Sequence, residues 1–462
     1  MNIPHISLDK TSNVPLYRQL SDALQGLVAE GKLLPDTKLP SIRQLAQALD
    51  VNNTTIISAY KYLERKMAVY SVVGSGTYVA KPKSSPEPYG EVPLLPDNID
   101  GYINFADTTT DTTLFPVTAF RRAFDAVLDR DGGRVFDAHD NRGYKPLRDS
   151  LCQMIGDVGV KADADCIQVI SDTQQGIELI ADTLLEPGDT VFVEGPTSQV
   201  AVAAFLARDA KIIEMPLVKD GPDMAALEVL LKKHRPKLIY VMPNFQTPTG
   251  ISYSDESSRR LLSLAYSADA YIIEDDQFSD FYYNGIKRTP LKALDDGCKV
   301  FYIKSFAKTL AAGLGMGFIV CPDACALAAN TDIGASGYIQ RGFDLFLRSG
   351  AYELHMANMR SVYGRRYHKL VAAVNTYLGH LADFELPGGG LSLWICPRIV
   401  DKNGRDYIEG FLQQKVIVSP GRLFAGAGGD LPGFRISFAA VDDERISEGI
   451  GVIASVLGGE PS

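Results

Sequence analysis

The chain has no long hydrophobic run. No stretch approaches ~18 uncharged apolar residues, so no segment reads as a membrane span. Its first residues, Met1-Asn2-Ile3-Pro4-His5, lack the basic-then-apolar pattern of a secretory leader. The six cysteines, at 152, 166, 298, 321, 325 and 396, have no paired CxxC spacing. That excludes a zinc ribbon and gives no disulfide frame, and it suits reduced, buried thiols. His139, His234, His355, His368 and His380 show no metal-ligand spacing either. Tryptophan occurs once, as Trp394 within an apolar run, and reads as core of a C-terminal subdomain. These absences lead to the expectation of a cytoplasmic protein with no membrane anchor and no metal.

What is present is 462 residues, 46% of them hydrophobic and 22% charged, enough for two or three domains. The net charge of −10 is unevenly placed. Residues 1–83 carry ten Lys/Arg against six Asp/Glu, a balance of +4, which leaves −14 on the remainder. A mildly basic head on an acidic body fits contact with phosphate backbones.

The spacing of Leu16, Leu20, Leu24, Leu27 and Val28 predicts an amphipathic helix over 15–30. Leu39-Pro40-Ser41 opens a second, and Asn52 caps a third, which buries Ile56, Ala59, Tyr60 and Leu63. Asn53, Thr54, Thr55 and Ser58 then lie at the exposed start of the third helix, where base edges and phosphates are touched. Two apolar strands, 69–73 and 77–79, joined by Gly74-Ser75-Gly76, predict a wing. This run resembles the winged helix-turn-helix of GntR-type regulators. The residues that carry the resemblance are Pro15-Leu16-Tyr17, Leu39-Pro40-Ser41-Ile42-Arg43, Leu45-Ala46, Ala59-Tyr60, Leu63 and Gly74-Ser75-Gly76-Thr77-Tyr78-Val79. The resemblance implies a double-stranded DNA operator contacted by Arg43 and, through its backbone, by Thr54, Thr55 and Gly76. Asn53 stands where the family often has arginine, a change that moves base preference from guanine toward adenine. By itself Arg43 could equally be a surface ion-pairing residue. The head is taken as residues 1–80. A linker with Pro82, Pro86, Pro88, Pro93 and Pro96 follows over 81–99.

From 100 to 462, short apolar strands (167–170, 191–194, 211–214, 238–242, 271–274, 300–304, 318–321) alternate with helical stretches (174–185, 198–207, 223–233, 254–266). The pattern predicts an α/β fold with a mostly parallel, helix-covered sheet. Ligands of such sheets sit beyond the carboxyl ends of strands, and the candidate chemistry clusters there. Ser171-Asp172-Thr173 opens a helix whose N–H groups could face a phosphate. Asp275 ends a strand, where a carboxylate could pair with a protonated pyridine nitrogen. Lys308 follows another, where an amine could form a Schiff base. Singly, Asp275 could cap a helix and Lys308 could be a surface lysine. Their order, with Pro243-Asn244-Phe245-Gln246-Thr247-Pro248-Thr249-Gly250 between them, is more restrictive.

The body resembles the fold-type-I, pyridoxal-phosphate-dependent aminotransferases, with large and small subdomains. Further matching runs are Arg142-Gly143-Tyr144-Lys145-Pro146-Leu147-Arg148, Leu185-Glu186-Pro187-Gly188-Asp189, Glu274-Asp275-Asp276, Gly388-Gly389-Gly390-Leu391 and Phe434-Arg435-Ile436-Ser437-Phe438-Ala439. Joined to the head, the whole chain looks like a MocR-type regulator, usually a homodimer whose body is a sensor. The resemblance implies pyridoxal 5'-phosphate on Lys308, with Asp275 at the ring nitrogen and Ser171, Thr173 and Ser305 at the phosphate. It places Thr247 beside the ring, Arg435 on the carboxylate of an amino-acid ligand, and Tyr144 at the neighbouring subunit's phosphate or simply packed. Arg422 would be a second anion contact or a surface pair.

Five departures gather at the cofactor. Gly315 stands where the family has an arginine for the phosphate, and Asp172 where the phosphate loop has glycine. Ser198 replaces the stacking aromatic and Thr247 the usual asparagine, while Gln277 and Phe278 fill the places of a phenol. Three functions therefore compete. The first is a regulator sensing pyridoxal phosphate or an amino acid, the second a working aminotransferase with a DNA-binding head, and the third a cofactor-free regulator of another small molecule.

Overall fold

The computed structural model describes residues 15–29, 32–34, 37–49, 51–65, 69–72, 76–79, 99–137, 140–296, 299–323, 327, 335–398, 406–426 and 431–458. The chain divides into two compact units, residues 1–92 and 93–462. Apart from position 99, the linker expected over 81–99 lies outside the described residues.

In the first unit α1 (Leu16–Ala29), α2 (Ile42–Ala48) and α3 (Asn53–Arg65) precede a hairpin of β1 (Val69–Val72) and β2 (Gly76–Val79). Leu20, Leu24, Leu45, Ile56, Ala59, Leu63, Val69 and Val79 form its core. Ser41 starts α2 with a capping box: its hydroxyl accepts from the Gln44 N–H, while the Gln44 side chain accepts from the Ser41 N–H. Asn52 Oδ1 accepts from the Thr54 N–H at 3.1 Å and so caps α3. The buried Tyr60 ties α3 to the start of α2 by donating to the Pro40 carbonyl at 2.8 Å.

The second unit begins with β3 (Ile103–Asn104), α4 (Val117–Asp131) and α5 (Lys145–Gly156). Strands and helices then alternate: β4 (Ile167–Ile170), α6 (Thr173–Leu184), β5 (Thr190–Gly195), α7 (Gln199–Leu206), β6 (Lys211–Val218), β7 (Gly221–Pro222), α8 (Met224–His234), β8 (Leu238–Val241), α9 (Asp255–Ser267) and β9 (Tyr271–Asp275). After them come β10 (Val300–Ser305), β11 (Gly317–Val320), α10 (Gly337–Arg348) and the long α11 (Ala351–Leu378). The C-terminal part holds β12 (Ala382–Asp383), β13 (Ser392–Pro397), α12 (Asp406–Gln413), β14 (Val416–Ile417), β15 (Ser419–Pro420), β16 (Phe434–Ser437) and α13 (Ile446–Val456).

One eight-stranded sheet runs β4-β11-β10-β9-β8-β5-β6-β7. Its centre, β10-β9-β8-β5-β6, is parallel, and β11 is antiparallel to both β10 and β4. β4 therefore runs the same way as the parallel strands, so the carboxyl ends of β4, β5, β8, β9 and β10 share one edge. β8, β9 and β10 are buried on both faces, which explains their near-continuous apolar sequences. A second sheet, β12-β13-β16-β15, belongs to the C-terminal subdomain and carries Arg435.

Candidate functional site

A cavity of about 410 Å³ opens at that shared edge. Into it come Asp275 from the end of β9, Ser305 and Lys308 after β10, Thr173 at the start of α6, Thr247 after β8 and Arg435 from β16. These are six of the residues expected from the sequence. Ser171 and Tyr144 do not line it. The Ser171 N–H and hydroxyl both donate to Gln175 Oε1, at 2.7 and 3.1 Å. Tyr144 is half-buried, with the Arg341 guanidinium 4.4 Å from its ring centroid and its N–H on Gln340 Oε1.

Lys308 sits on a single wide helical turn, Ala307–Ala311, directly after β10. Its amine donates to Thr108 Oγ1 at 2.8 Å. Burial lowers its pKa; nearby Asp107 opposes that shift and the charge of Arg435 adds to it. An amine of this kind gives up its proton, and becomes nucleophilic, more readily than a solvated lysine.

Asp275 is 1% exposed. Tyr240 OH and Gln277 Nε2 both donate to its Oδ2, at 2.7 and 2.9 Å. Its Oδ1 has no hydrogen-bond partner among the described residues. Burial pushes this carboxyl up to about 6, against the pull of those two donors. Beneath the loop that carries Thr247, the buried Glu194 accepts from the Met242 N–H, Tyr253 OH and Gln246 Nε2. Gln246 also donates to the Pro196 carbonyl at 2.7 Å, which fixes the loop. Thr247 Oγ1 is buried without a partner among the described residues.

Arg435 donates through Nη2 to the Ala106 carbonyl at 2.6 Å and to Ser419 Oγ at 2.9 Å. Its Nε has no partner among the described residues, its guanidinium lies 5.2 Å from the Phe424 ring centroid, and burial lowers it to about 10. A ligand carboxylate would relieve that desolvated charge.

Sequence reasoning missed Thr108 and Tyr240. Thr108 sits in a run of threonines that carries no signal. Tyr240 is the one phenol in the wholly buried β8, and a buried hydroxyl requires a partner. Gln277, noted from the sequence only as a missing phenol, proves to be a donor to Asp275.

In the first unit Arg43, Asn53 and Thr54 are exposed and Thr55 is half-buried. Gly76 has φ +135°, a backbone that side-chained residues rarely adopt. The wing residues Gly74 and Ser75 lie outside the described residues.

Residues 104–453 match the family model for aminotransferase class I and II, and residues 16–79 match that for bacterial regulatory proteins of the gntR family. The chain belongs to the class I and II aminotransferases. With its gntR-family head it has the composition of the MocR-type regulators. It is 26% identical to the uncharacterized HTH-type transcriptional regulator YdfD of Bacillus subtilis, over 96% of each chain. It is 28% identical to the probable rhizopine catabolism regulatory protein MocR of Rhizobium meliloti, over 84% of this chain and 82% of that one. Among solved structures, the kynurenine aminotransferase of Pyrococcus horikoshii superposes with a TM-score of 0.73 at 27% identity, covering 77% of this chain and 90% of that one. No helix among the described residues is long and apolar enough to cross a membrane.

This is a fold family that uses pyridoxal phosphate, and the two ends of the cavity differ in how they suit it. At the ring end the orphaned Asp275 Oδ1 and the Lys308 amine fit a pyridinium N–H and an aldehyde. The phosphate end does not fit. Asp172 caps α6 by accepting from the Gln175 N–H at 2.8 Å, so a carboxylate already faces the helix's positive end. Gly315, at φ +60°, closes a tight turn and does not line the cavity, and Ser198 offers no aromatic face. Among the described residues the charged ones lining the cavity are two cations, Lys308 and Arg435, and two carboxylates, Asp172 and Asp275. That balance is poor company for a phosphate dianion.

Proposed function

We propose that the protein is a cytoplasmic, homodimeric DNA-binding regulator. Its aminotransferase-like body senses a small molecule of the pyridoxal class, an amino acid, or both. The observation that carries this reading is a cavity that keeps a buried lysine, an orphaned carboxylate oxygen and a desolvated arginine but has lost its phosphate arginine. Turnover needs a tightly anchored ring, whereas sensing needs only that ligand binding be felt by the protein. The exposed start of α3, with the exposed Arg43 of α2, would supply the DNA-facing side chains. Two such heads in a dimer would read paired half-sites, and a ligand changing their placement would change the fit.

The test is binding of the full-length protein to DNA upstream of its own or a neighbouring gene, across a range of salt. Arg43→Ala is expected to weaken binding and to lower the log–log salt slope by about 1, as one lost phosphate contact does. If the protein binds none of these fragments even at low salt, the regulator reading is wrong.

A further inference from the structure

The ring end and the phosphate end of the cavity ask for different chemistry, and one ligand class satisfies both. We infer that the cavity takes an unphosphorylated pyridine aldehyde of the pyridoxal type in preference to its phosphate ester. The inference rests on the sensing role proposed above and names the ligand class for it.

Four observations meet here. Asp275 Oδ1 is a buried acceptor with no donor among the described residues, while its twin oxygen is held by Tyr240 and Gln277. A protonated ring nitrogen is the donor it lacks. At the other end the exposed Asp172 has its Oδ1 taken by the Gln175 N–H, and among the described residues Oδ2 has only a long, 3.5 Å contact from Ser171 Oγ. A carboxylate oxygen so placed accepts from a hydroxymethyl O–H and repels a phosphate dianion. Ser171, expected at the phosphate, already spends its N–H and hydroxyl on Gln175. Finally, the charged lining residues balance, two against two, which suits a ligand without net charge.

Lys308 supplies the covalent handle. Its amine nitrogen bonds to the aldehyde carbon, and the carbonyl oxygen leaves as water with the two protons given up by that nitrogen. No oxidant, reductant or further reactant is needed. Thr108 Oγ1, 2.8 Å from the amine, fixes its approach.

The full-length protein is titrated separately with pyridoxal and pyridoxal phosphate. Uptake is followed by absorbance, then by borohydride reduction and mass analysis of the peptide carrying Lys308. Pyridoxal is expected to bind at least ~tenfold more tightly, which corresponds to about 1.4 kcal/mol of repulsion between the Asp172 carboxylate and the phosphate dianion. Asp172→Asn keeps the helix cap, because asparagine caps as well as aspartate, and removes the charge. It is expected to tighten binding of the phosphate ester ~tenfold and to weaken pyridoxal, whose hydroxymethyl loses its carboxylate acceptor, so that the gap closes. The inference is overturned if the wild-type protein takes the phosphate ester as tightly as pyridoxal, or takes up neither. It is equally overturned if Asp172→Asn leaves the ratio where it was, or if Lys308→Ala retains the adduct. DNA binding measured on the same samples bears on the regulator reading alone, so the two ideas fail separately.

Discussion

Replacing Asp275 by asparagine should change how the body's stability responds to pH. The carboxyl is 1% exposed and is pushed up to about 6 by burial. Displacement from an ordinary value near ~4 to about 6 corresponds to roughly 3 kcal/mol. The folded protein holds this proton more tightly than the unfolded chain does. The stabilisation is therefore fully present below pH ~4, declines as pH rises toward about 6, and is gone above it. Asparagine is neutral throughout and removes the dependence. Its packing cost is the same at every pH and cancels when the variant is compared with wild type at two pH values. Glu194 and Glu274, pushed up by burial to about 7 and about 8, titrate in both proteins. The stability gap between wild type and Asp275→Asn should thus shift in favour of asparagine by on the order of 3 kcal/mol between pH 4 and pH 8. The readout is urea unfolding followed by Trp394 fluorescence. Trp394 is the only tryptophan and lies on β13, so it reports the body alone. A gap that stays constant with pH would refute the reasoning. The functional meaning is direct: at neutral pH the site holds a charged oxygen without a donor among the described residues, and a ligand N–H recovers that cost.

Lys304 lies buried between Asp280 at 3.0 Å and Asp276 at 3.4 Å, beside the strand end that carries the site. Lys304→Met leaves the buried Asp276 and the half-buried Asp280 without that cation and should cost about 3 kcal/mol, read as a lower urea midpoint. In the first unit Ser41→Ala removes the capping hydroxyl and should weaken the start of α2 by about 1 kcal/mol. Hydrogen exchange over residues 42–48 should quicken in Ser41→Ala, while Ser41→Asp keeps its protection.

Most of the element order was legible in the sequence, because periodicity and punctuation are local. All seven expected strands and four expected helices of the body form within a residue or two, except that β6 continues to Val218. α6 begins at Thr173 and not at Gln174, because Asp172 supplies its cap. The 28-residue α11 was not anticipated: it buries residues such as Tyr352, His355, Tyr363 and Arg366, and so lacks a clean apolar stripe. Nor did the sequence reveal the two-residue strands, which are too short for a period to register.

By itself the sequence placed Asp275, Ser305 and Lys308 beyond strand ends and exposed the family-breaking Gly315, Asp172 and Ser198. Only the tertiary structure decided which atoms are spoken for. Thr108 reaches Lys308 across 200 positions, and Arg435 reaches Ala106 across 329. Tyr240 takes one oxygen of Asp275, and the other has no partner among the described residues. A residue's type fixes what it can donate or accept, but its partner is set by which strands lie side by side, and that is a property of the closed sheet.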